Sequence, residues 1–305
     1  MPKLLEGKVV VVTGSGGGIG REFALALADA DARVVVNDVG ASITGEGTDD
    51  SLAQKVVDEI RAAGGEAVAS MDSVSDPISA ARIVESAMDH FGRIDGVINN
   101  AGILRDRSFS KMTAEEFDAV IKVHLCGGFY VSRAAANHFR EQGSGSYIHL
   151  TSTAGLYGNI GQANYMAAKT GITGLSKSIA IDMGRYGVRS NCIAPAAWSR
   201  MISGIKAETE EQKRNVEMMK TKLAASTIPP IAVYLQSDHA KDINGQIFYV
   251  RGNEIMLFRQ FEVVRSVHRS EGWTPETISD HCIPALRSSM QPLRLAQEIT
   301  TWDPV

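Results

Sequence analysis

Short runs of valine and isoleucine recur along the chain, separated by stretches whose apolar residues return every three or four positions. Residues 8–13 are apolar almost throughout and read as a buried strand, as do residues 33–38, 66–72, 94–99, 146–152, 188–194 and 246–250. Residues 20–30 and 52–63 are helical by composition, the second stopped by Gly64 and Gly65. A longer helix is predicted over residues 163–183, with Ala168, Ile172, Leu175, Ile179 and Met183 as its apolar stripe. Strands that are apolar on both faces and alternate with helices require a parallel sheet covered on both sides. Right-handed crossovers then make an open, doubly wound α/β sheet the natural topology.

Two segments interrupt this rhythm. Residues 39–50 form a glycine-rich, acidic insertion directly after the second strand. Residues 201–223 are polar and charged, and read either as a flexible helical flap over the site or as a solvated surface excursion. Residues 254–305 follow the last predicted strand as a tail. Its Phe258, Phe261, Trp273 and Trp302 imply that it packs rather than dangles.

The 305 residues are 44% hydrophobic and 22% charged, close to the globular average. A chain of this length can build one extended core. The length alone allows one large domain or two ordinary ones. Lys and Arg total 31 against 35 Asp and Glu, a net charge of −4. With no basic stripe, neither nucleic acid nor a membrane surface is an expected partner. Cys126, Cys192 and Cys282 are far apart and form no CxxC, which argues against a disulfide framework or a cysteine-bound metal, and no metal is expected. The first residues lack a signal-peptide apolar stretch, and no run approaches the roughly 20 residues that span a bilayer. The last three residues differ from the peroxisomal tripeptide signal. A cytoplasmic location is expected.

Thr13-Gly14-Ser15-Gly16-Gly17-Gly18-Ile19-Gly20 lies between the first strand and a helix, with glycines 14, 18 and 20 spaced GxxxGxG. Such a turn lets backbone approach a pyrophosphate and aims a helix N-terminus at its charge. The second strand ends in Asn37-Asp38, where an acidic side chain takes both ribose hydroxyls. A carboxylate there repels a 2′-phosphate, and no Lys or Arg occurs among residues 14–20; Arg21 comes one position too late. NAD is favoured over NADP.

Tyr165 and Lys169 are four positions apart on the predicted helix, hence neighbours on one face. Ser152 stands thirteen positions before Tyr165, at the carboxyl end of a predicted strand, where ligands bind in such sheets. The set suits hydride transfer at a carbinol. A free phenol has a pKa near 10, and bringing it close to 7 takes about 4 kcal/mol. Lys169 and the positive nicotinamide of an oxidised cofactor are the expected sources of that stabilisation. Tyr165 is then the general base for oxidation, and Ser152 donates to the developing alkoxide.

In order and spacing, TGxxxGxG over residues 13–20, Asn99-Asn100-Ala101-Gly102, Ser152 and Tyr165-x-x-x-Lys169 resemble the short-chain dehydrogenase/reductase family over about residues 5–257. The resemblance implies a single catalytic domain of Rossmann fold over residues 5–257 with a C-terminal extension over 258–305, a nicotinamide cofactor held by Gly14, Gly18, Ile19, Gly20, Asp38, Ala101, Gly102, Tyr165 and Lys169, and a homodimer or homotetramer. It also implies that Asp72 and Ser73 face the adenine, that Asn99 holds its strand near the cofactor, and that Pro195 contacts the nicotinamide. One position departs from the family pattern: His124 stands where an Asn is usual. His124 either takes that Asn's part in proton relay, or a water does, or it is a neutral core histidine.

Within the family, His124, the 39–50 insertion, residues 101–109, residues 157–165 and the Ala194-Pro195-x-Ala197-x-Ser199-Arg200-Met201 stretch are similar to the (3R)-hydroxyacyl-CoA dehydrogenase unit of type 2 peroxisomal multifunctional enzymes. The tail around Trp273 resembles that unit's extension, which reaches toward a dimer partner. NAD-dependent oxidation of a (3R)-hydroxyacyl-CoA, from a fatty acid or a steroid side chain, is the expected activity. A hydroxysteroid dehydrogenase, a 3-oxoacyl-acyl-carrier-protein reductase and a non-catalytic NAD sensor are the alternatives. Gly155 and Gly158 are read as leaving room for a bulky acyl chain.

Overall fold

The computed structural model describes residues 3–198 and 209–304. Val9 to Val12 are fully buried because their strand lies inside an eight-stranded sheet with helices on both faces. The chain runs through β1 (Val9–Thr13), α1 (Gly18–Asp29), β2 (Arg33–Asn37), α2 (Ser51–Ala62), β3 (Ala67–Ser70), α3 (Pro77–Phe91) and β4 (Gly96–Asn99). It continues through α4 (Ala114–Ile121), α5 (Gly127–Gln142), β5 (Gly145–Leu150), α6 (Thr153–Leu156), α7 (Ala163–Met183) and β6 (Val188–Ala196). Last come α8 (Glu210–Lys222), α9 (Pro229–Gln236), β7 (Ile247–Arg251) and β8 (Glu254–Phe258).

Strand order is β3-β2-β1-β4-β5-β6-β7-β8, with β1 to β7 parallel. Alternation along each strand divides the core in two. Val10, Val12, Val34 and Val36 pack with Phe23, Leu27, Val56, Ile60 and Leu235 of α1, α2 and α9. Val9, Val11, Val35 and Val97 face Ile83, Val131 and Phe139 of α3 and α5. Each such side chain contributes roughly 1.5–3 kcal/mol on burial. Between β1 and β4 the order of connection reverses, which opens a crevice at the carboxyl ends of the strands. The doubly wound sheet expected from the valine pattern is therefore present.

The sheet does not stop at the seventh predicted strand. Ile247–Arg251 turns through Gly252 and Asn253 into β8, which pairs antiparallel from Arg251↔Glu254 to Ile247↔Phe258. Strand β8 alternates, with Ile255 and Leu257 exposed and Met256 and Phe258 partly buried. The expected boundary between residues 257 and 258 thus falls within a strand. Beyond it the tail returns to the sheet: Trp302 Nε1 donates to Glu254 at 2.6 Å, and the Ala296 N–H donates to the Gly158 carbonyl at 2.8 Å. Phe261, expected to pack, is 88% exposed.

Helix α7 also presents a different face from the expected stripe. Asn164, Lys169, Thr173 and Ser176 are buried with Ala168, Ile172 and Ala180, while Leu175, Ile179 and Met183 are only partly so. The inner face is polar because the strands beneath it offer polar partners, such as Ser190 Oγ at 2.8 Å from Ser176 Oγ. Of the 201–223 excursion and the Ser199-Arg200-Met201 stretch, residues 199–208 lie outside the described residues. The remainder is helix α8, tied back by the Trp198 N–H to the Leu223 carbonyl at 2.6 Å. No described helix is long and apolar enough to cross a membrane.

Candidate active site

The crevice at the β1/β4 reversal is a cleft of about 260 Å³. Gly14, Gly18, Ile19, Gly20, Asp38, Asp72, Ser73, Ala101 and Gly102 all line it, as does Asn37. Helix α1 starts with no side-chain cap and no acidic residue in its first turn, so its free N–H groups can receive an anion. The glycines are steric requirements. Gly14 has φ +64°, and a Cβ there would stand 2.7 Å from Ala101 Cα; a Cβ on Gly20 would collide with the Gly14 carbonyl. Asp38 closes the rim, its Oδ2 accepting from the Gly16 N–H at 2.8 Å and its Oδ1 from the Gly40 N–H at 2.7 Å. A nicotinamide dinucleotide fits these features: an uncapped helix start for its pyrophosphate and a fixed carboxylate for a ribose.

Asp72 is held by Arg82 Nε at 2.7 Å and by Ser79 Oγ at 3.2 Å. Asn99 does not line the cleft. Its Nδ2 meets Ser132 Oγ at 2.9 Å and His149 Nδ1 at 3.2 Å, and its buried Oδ1 has no protein partner. Asn100 Nδ2 donates to the carbonyls of Thr13 (3.0 Å) and Gly14 (2.9 Å), clamping the glycine turn. Its only mark in the sequence is being the second Asn of the pair. Pro195 sits half-buried at the carboxyl end of β6, paired with Val250.

Ile103 and Val123 line the inner end of the cleft, and there the catalytic candidates begin. His124 lies on a π-helical turn, Lys122–Cys126, between α4 and α5. Its ring meets that of Tyr165 edge-on at 5.3 Å, and its Nε2 is 2.8 Å from the Ile103 carbonyl and 3.0 Å from the Ile103 N–H. Gly102 has to be glycine, since a Cβ would run into the His124 ring. Ser152 follows β5 and caps α6, its Oγ accepting from the Ala154 N–H at 3.1 Å.

Lys169 is almost wholly buried. Its Nζ donates to the Leu150 carbonyl at 2.5 Å and lies 5.5 Å from the centre of the Tyr165 ring. Thr151 Oγ1 returns the contact by donating to the Lys169 carbonyl at 2.8 Å, which latches α7 to the end of β5. Helix α6 presses on the same point, because a Cβ on Gly155 would stand 2.7 Å from Lys169 Cβ. Gly155 is therefore a packing contact and not space for an acyl chain. Gly158 is buried, in contact with Arg294 and Ala296 of the tail. Asn164, which sequence reasoning passed over, is fully buried; its Nδ2 donates to the Arg105 carbonyl at 2.8 Å and its Oδ1 accepts from the Tyr165 N–H at 2.7 Å.

Burial dominates the electrostatics. It lowers the Lys169 ammonium to about 7 and raises the Tyr165 phenol to about 12, with hydrogen bonding by Ser152 pulling the phenol the other way. Of the two sources of stabilisation expected for the phenolate, Lys169 alone does not offset the desolvation of the phenol. Burial, followed by the nearby Lys169 charge, also pushes His124 down to about 3 and His149 down to about 4. Both imidazoles are neutral at physiological pH.

In the unfolded chain these two histidines protonate near 6.5, well above their folded values. The unfolded state therefore takes up protons first as pH falls. Stability that is whole above pH 6.5 is lost toward pH 4, at up to about 1.4 kcal/mol per pH unit for each histidine. Urea midpoints followed from about pH 7 to about pH 4.5 should fall less steeply for His149→Met than for the parent protein. Equal slopes would contradict a buried, neutral His149.

The short chain dehydrogenase family model matches residues 8–212. A short-chain type dehydrogenase/reductase of Mycobacterium tuberculosis is 45% identical over 257 residues, covering 84% of this chain and 86% of its own. The peroxisomal multifunctional enzyme type 2 of Mus musculus is 43% identical across 92% of this chain, which spans 37% of that longer protein. The hydroxyacyl-CoA dehydrogenase ChsB1 of Mycobacterium tuberculosis is 40% identical, with 83% of this chain and 80% of that one covered. A crystal structure of a short chain dehydrogenase from Mycobacterium avium superposes with a TM-score of 0.83 at 40% identity, over 96% of this chain and 98% of that one. With the cleft and the Ser152, Tyr165 and Lys169 arrangement, these similarities identify the chain as a member of the short-chain dehydrogenase/reductase family, an oxidoreductase of CH–OH groups that works with a nicotinamide dinucleotide.

Proposed function

We propose that the protein oxidises a (3R)-hydroxyacyl-CoA to the 3-oxoacyl-CoA with NAD, in β-oxidation of fatty acids or of steroid side chains. The observation that carries this reading is the grouping of Tyr165, Lys169 and His124 at the inner end of a cleft whose rim presents Asp38 and no cation. None of the described residues lining the cleft is Lys or Arg. Arg21, the nearest cation along the chain, is paired with Glu22 and Glu59. A 2′-phosphate at this rim would meet a carboxylate without a counter-charge, which favours NAD over NADP. Similarity to a hydroxyacyl-CoA dehydrogenase supports the acyl-CoA substrate.

When bound, the dinucleotide accepts the hydride and adds a positive charge to the site. The remaining work falls to this chain. Tyr165 would act as the phenolate, its own proton having gone to solvent, taking the proton of the substrate hydroxyl as the C–H pair leaves the carbinol carbon and returning it in the reductive direction. Ser152 donates to the oxygen as it gains charge. Lys169, anchored to Leu150, keeps a cationic group near the phenol. His124, neutral and fixed by Ile103, is a positioning group for the turn at residues 101–103 and not a proton carrier.

A steady-state panel of short, long and steroid-bearing 3-hydroxyacyl-CoAs with NAD and NADP tests the reading. Turnover should require the CoA ester and prefer NAD. Tyr165→Phe should cut turnover by about 10²- to 10⁴-fold while NAD still binds. Activity confined to free steroids, or to acyl-carrier-protein substrates with NADPH, would replace this assignment. A cytoplasmic location belongs to the same proposal, and the unpaired Cys126, Cys192 and Cys282 fit a reducing compartment. So does a homodimer or homotetramer, since Phe129 and Ile181 leave apolar surface on the outer faces of α5 and α7. Light scattering giving two or four times the chain mass is expected; a monomer would contradict it.

A further inference from the structure

The insertion at residues 39–50 is the feature that the proposed chemistry leaves unused. It is exposed from residue 42 onward, yet it is fastened at both ends. Its neck closes where the Asp49 N–H donates to the Val39 carbonyl at 3.3 Å and Asp38 receives the Gly40 N–H. A side chain on Gly40, at φ +68°, would collide with the Asp49 backbone, so the two limbs run in contact. The tip is a turn tied to itself: the Ser42 N–H donates to the Glu46 carbonyl at 2.9 Å, and the Gly45 N–H to the Ser42 carbonyl at 2.9 Å.

That tip crosses to the opposite side of the cleft. The Leu104 N–H donates to the Ile43 carbonyl at 2.9 Å, Arg105 Nε donates to the Thr44 carbonyl at 3.0 Å, and Gly45 packs on the Ile103 side chain. Ala41, Ser42, Ile43 and Gly45 are thereby part of the cleft lining. Residues 103–105 also hold the catalytic end, Ile103 through His124 and the Arg105 carbonyl through Asn164, which receives the Tyr165 N–H. One short segment thus anchors both the far wall of the nucleotide cleft and the start of α7.

We infer that residues 40–49 are a strap that retains the dinucleotide in its cleft, and that Arg105 is the positioning residue that fastens it. This rests on reading the cleft as a dinucleotide site, though not on which dinucleotide or which acyl group is used. The guanidinium makes the only side-chain hydrogen bond between the strap tip and residues 103–105 among the described residues; the other hydrogen bond there is backbone to backbone, and Gly45 adds a packing contact. Truncating Arg105 leaves its carbonyl on Asn164, so the catalytic end keeps its support.

The test is binding of NAD and NADH to the whole protein, by calorimetry and by nucleotide fluorescence, alongside hydrogen exchange of the amides of residues 40–49. Arg105→Ala should weaken both dinucleotides about three- to tenfold, in keeping with one lost charge-assisted hydrogen bond near solvent. It should speed exchange in the strap and raise the KM for the dinucleotide by a similar factor. Arg105→Lys, whose ammonium can still donate to the Thr44 carbonyl, should recover most of the affinity. Unchanged dinucleotide affinity in Arg105→Ala overturns the inference, and a raised KM for acyl-CoA alone would assign Arg105 to the acyl site instead. Should the parent protein prefer NADP, the NAD assignment falls, and the same variant-to-parent ratio measured with NADP decides the strap.

Discussion

A lysine ammonium brought almost wholly out of water, with a main-chain carbonyl as its hydrogen-bond acceptor, is the constraint around which the site is built. Lys169 donates to Leu150, and Thr151 donates back to the Lys169 carbonyl, so β5 and α7 are latched by two bonds running in opposite directions. Ser152 follows Thr151 in the chain, and Tyr165 stands one helical turn before Lys169. The latch therefore sets the relative position of the elements that carry the phenol and the serine. Gly155 belongs to the same arrangement, because only a residue without a side chain lets α6 come down onto Lys169.

Burial has a consequence for proton chemistry. Desolvation disfavours charge on both partners at once, lowering the amine to about 7 and raising the phenol to about 12. The proton accordingly stays on Tyr165 in the protein alone. Acidifying the phenol needs positive charge that the polypeptide does not itself provide in sufficient measure, which ties readiness for oxidation to arrival of an oxidised cofactor. His124 and His149, pushed low by the same burial, are held in the neutral form beside it.

Much of this was legible in the chain. Valine-rich runs placed seven strands, and the glycine turn, Asp38 and the Ser152, Tyr165 and Lys169 spacing marked the two ends of the site, because each is a local requirement with a local signature. What escaped depends on partners distant in sequence. Strand β8 was absorbed into the tail because its outward residues Ile255 and Leu257 are apolar, which hides the alternation, although Gly252-Asn253 is a hairpin turn in plain view. Gly155 and Gly158 read as open space in the sequence because Lys169 and Arg294, which pack against them, lie elsewhere in the chain. The inner face of α7 read as apolar because nothing in its own sequence shows that β6 offers Ser190 beneath it. Asn100 and Asn164, which hold the glycine turn and the Tyr165 backbone, looked like their neighbours until their hydrogen bonds were known.

The central claim is that burial keeps the Tyr165 proton in place until cofactor charge is added. Ultraviolet difference titration of tyrosinate near 295 nm, on the parent protein and on Tyr165→Phe, measures this most directly. The account predicts no tyrosinate from residue 165 below about pH 10 in the protein alone. A single additional tyrosinate should appear at much lower pH with oxidised dinucleotide, and be absent with the reduced form and in Tyr165→Phe. A Tyr165 signal near neutral pH without any dinucleotide, or none at any accessible pH with the oxidised one, would contradict it.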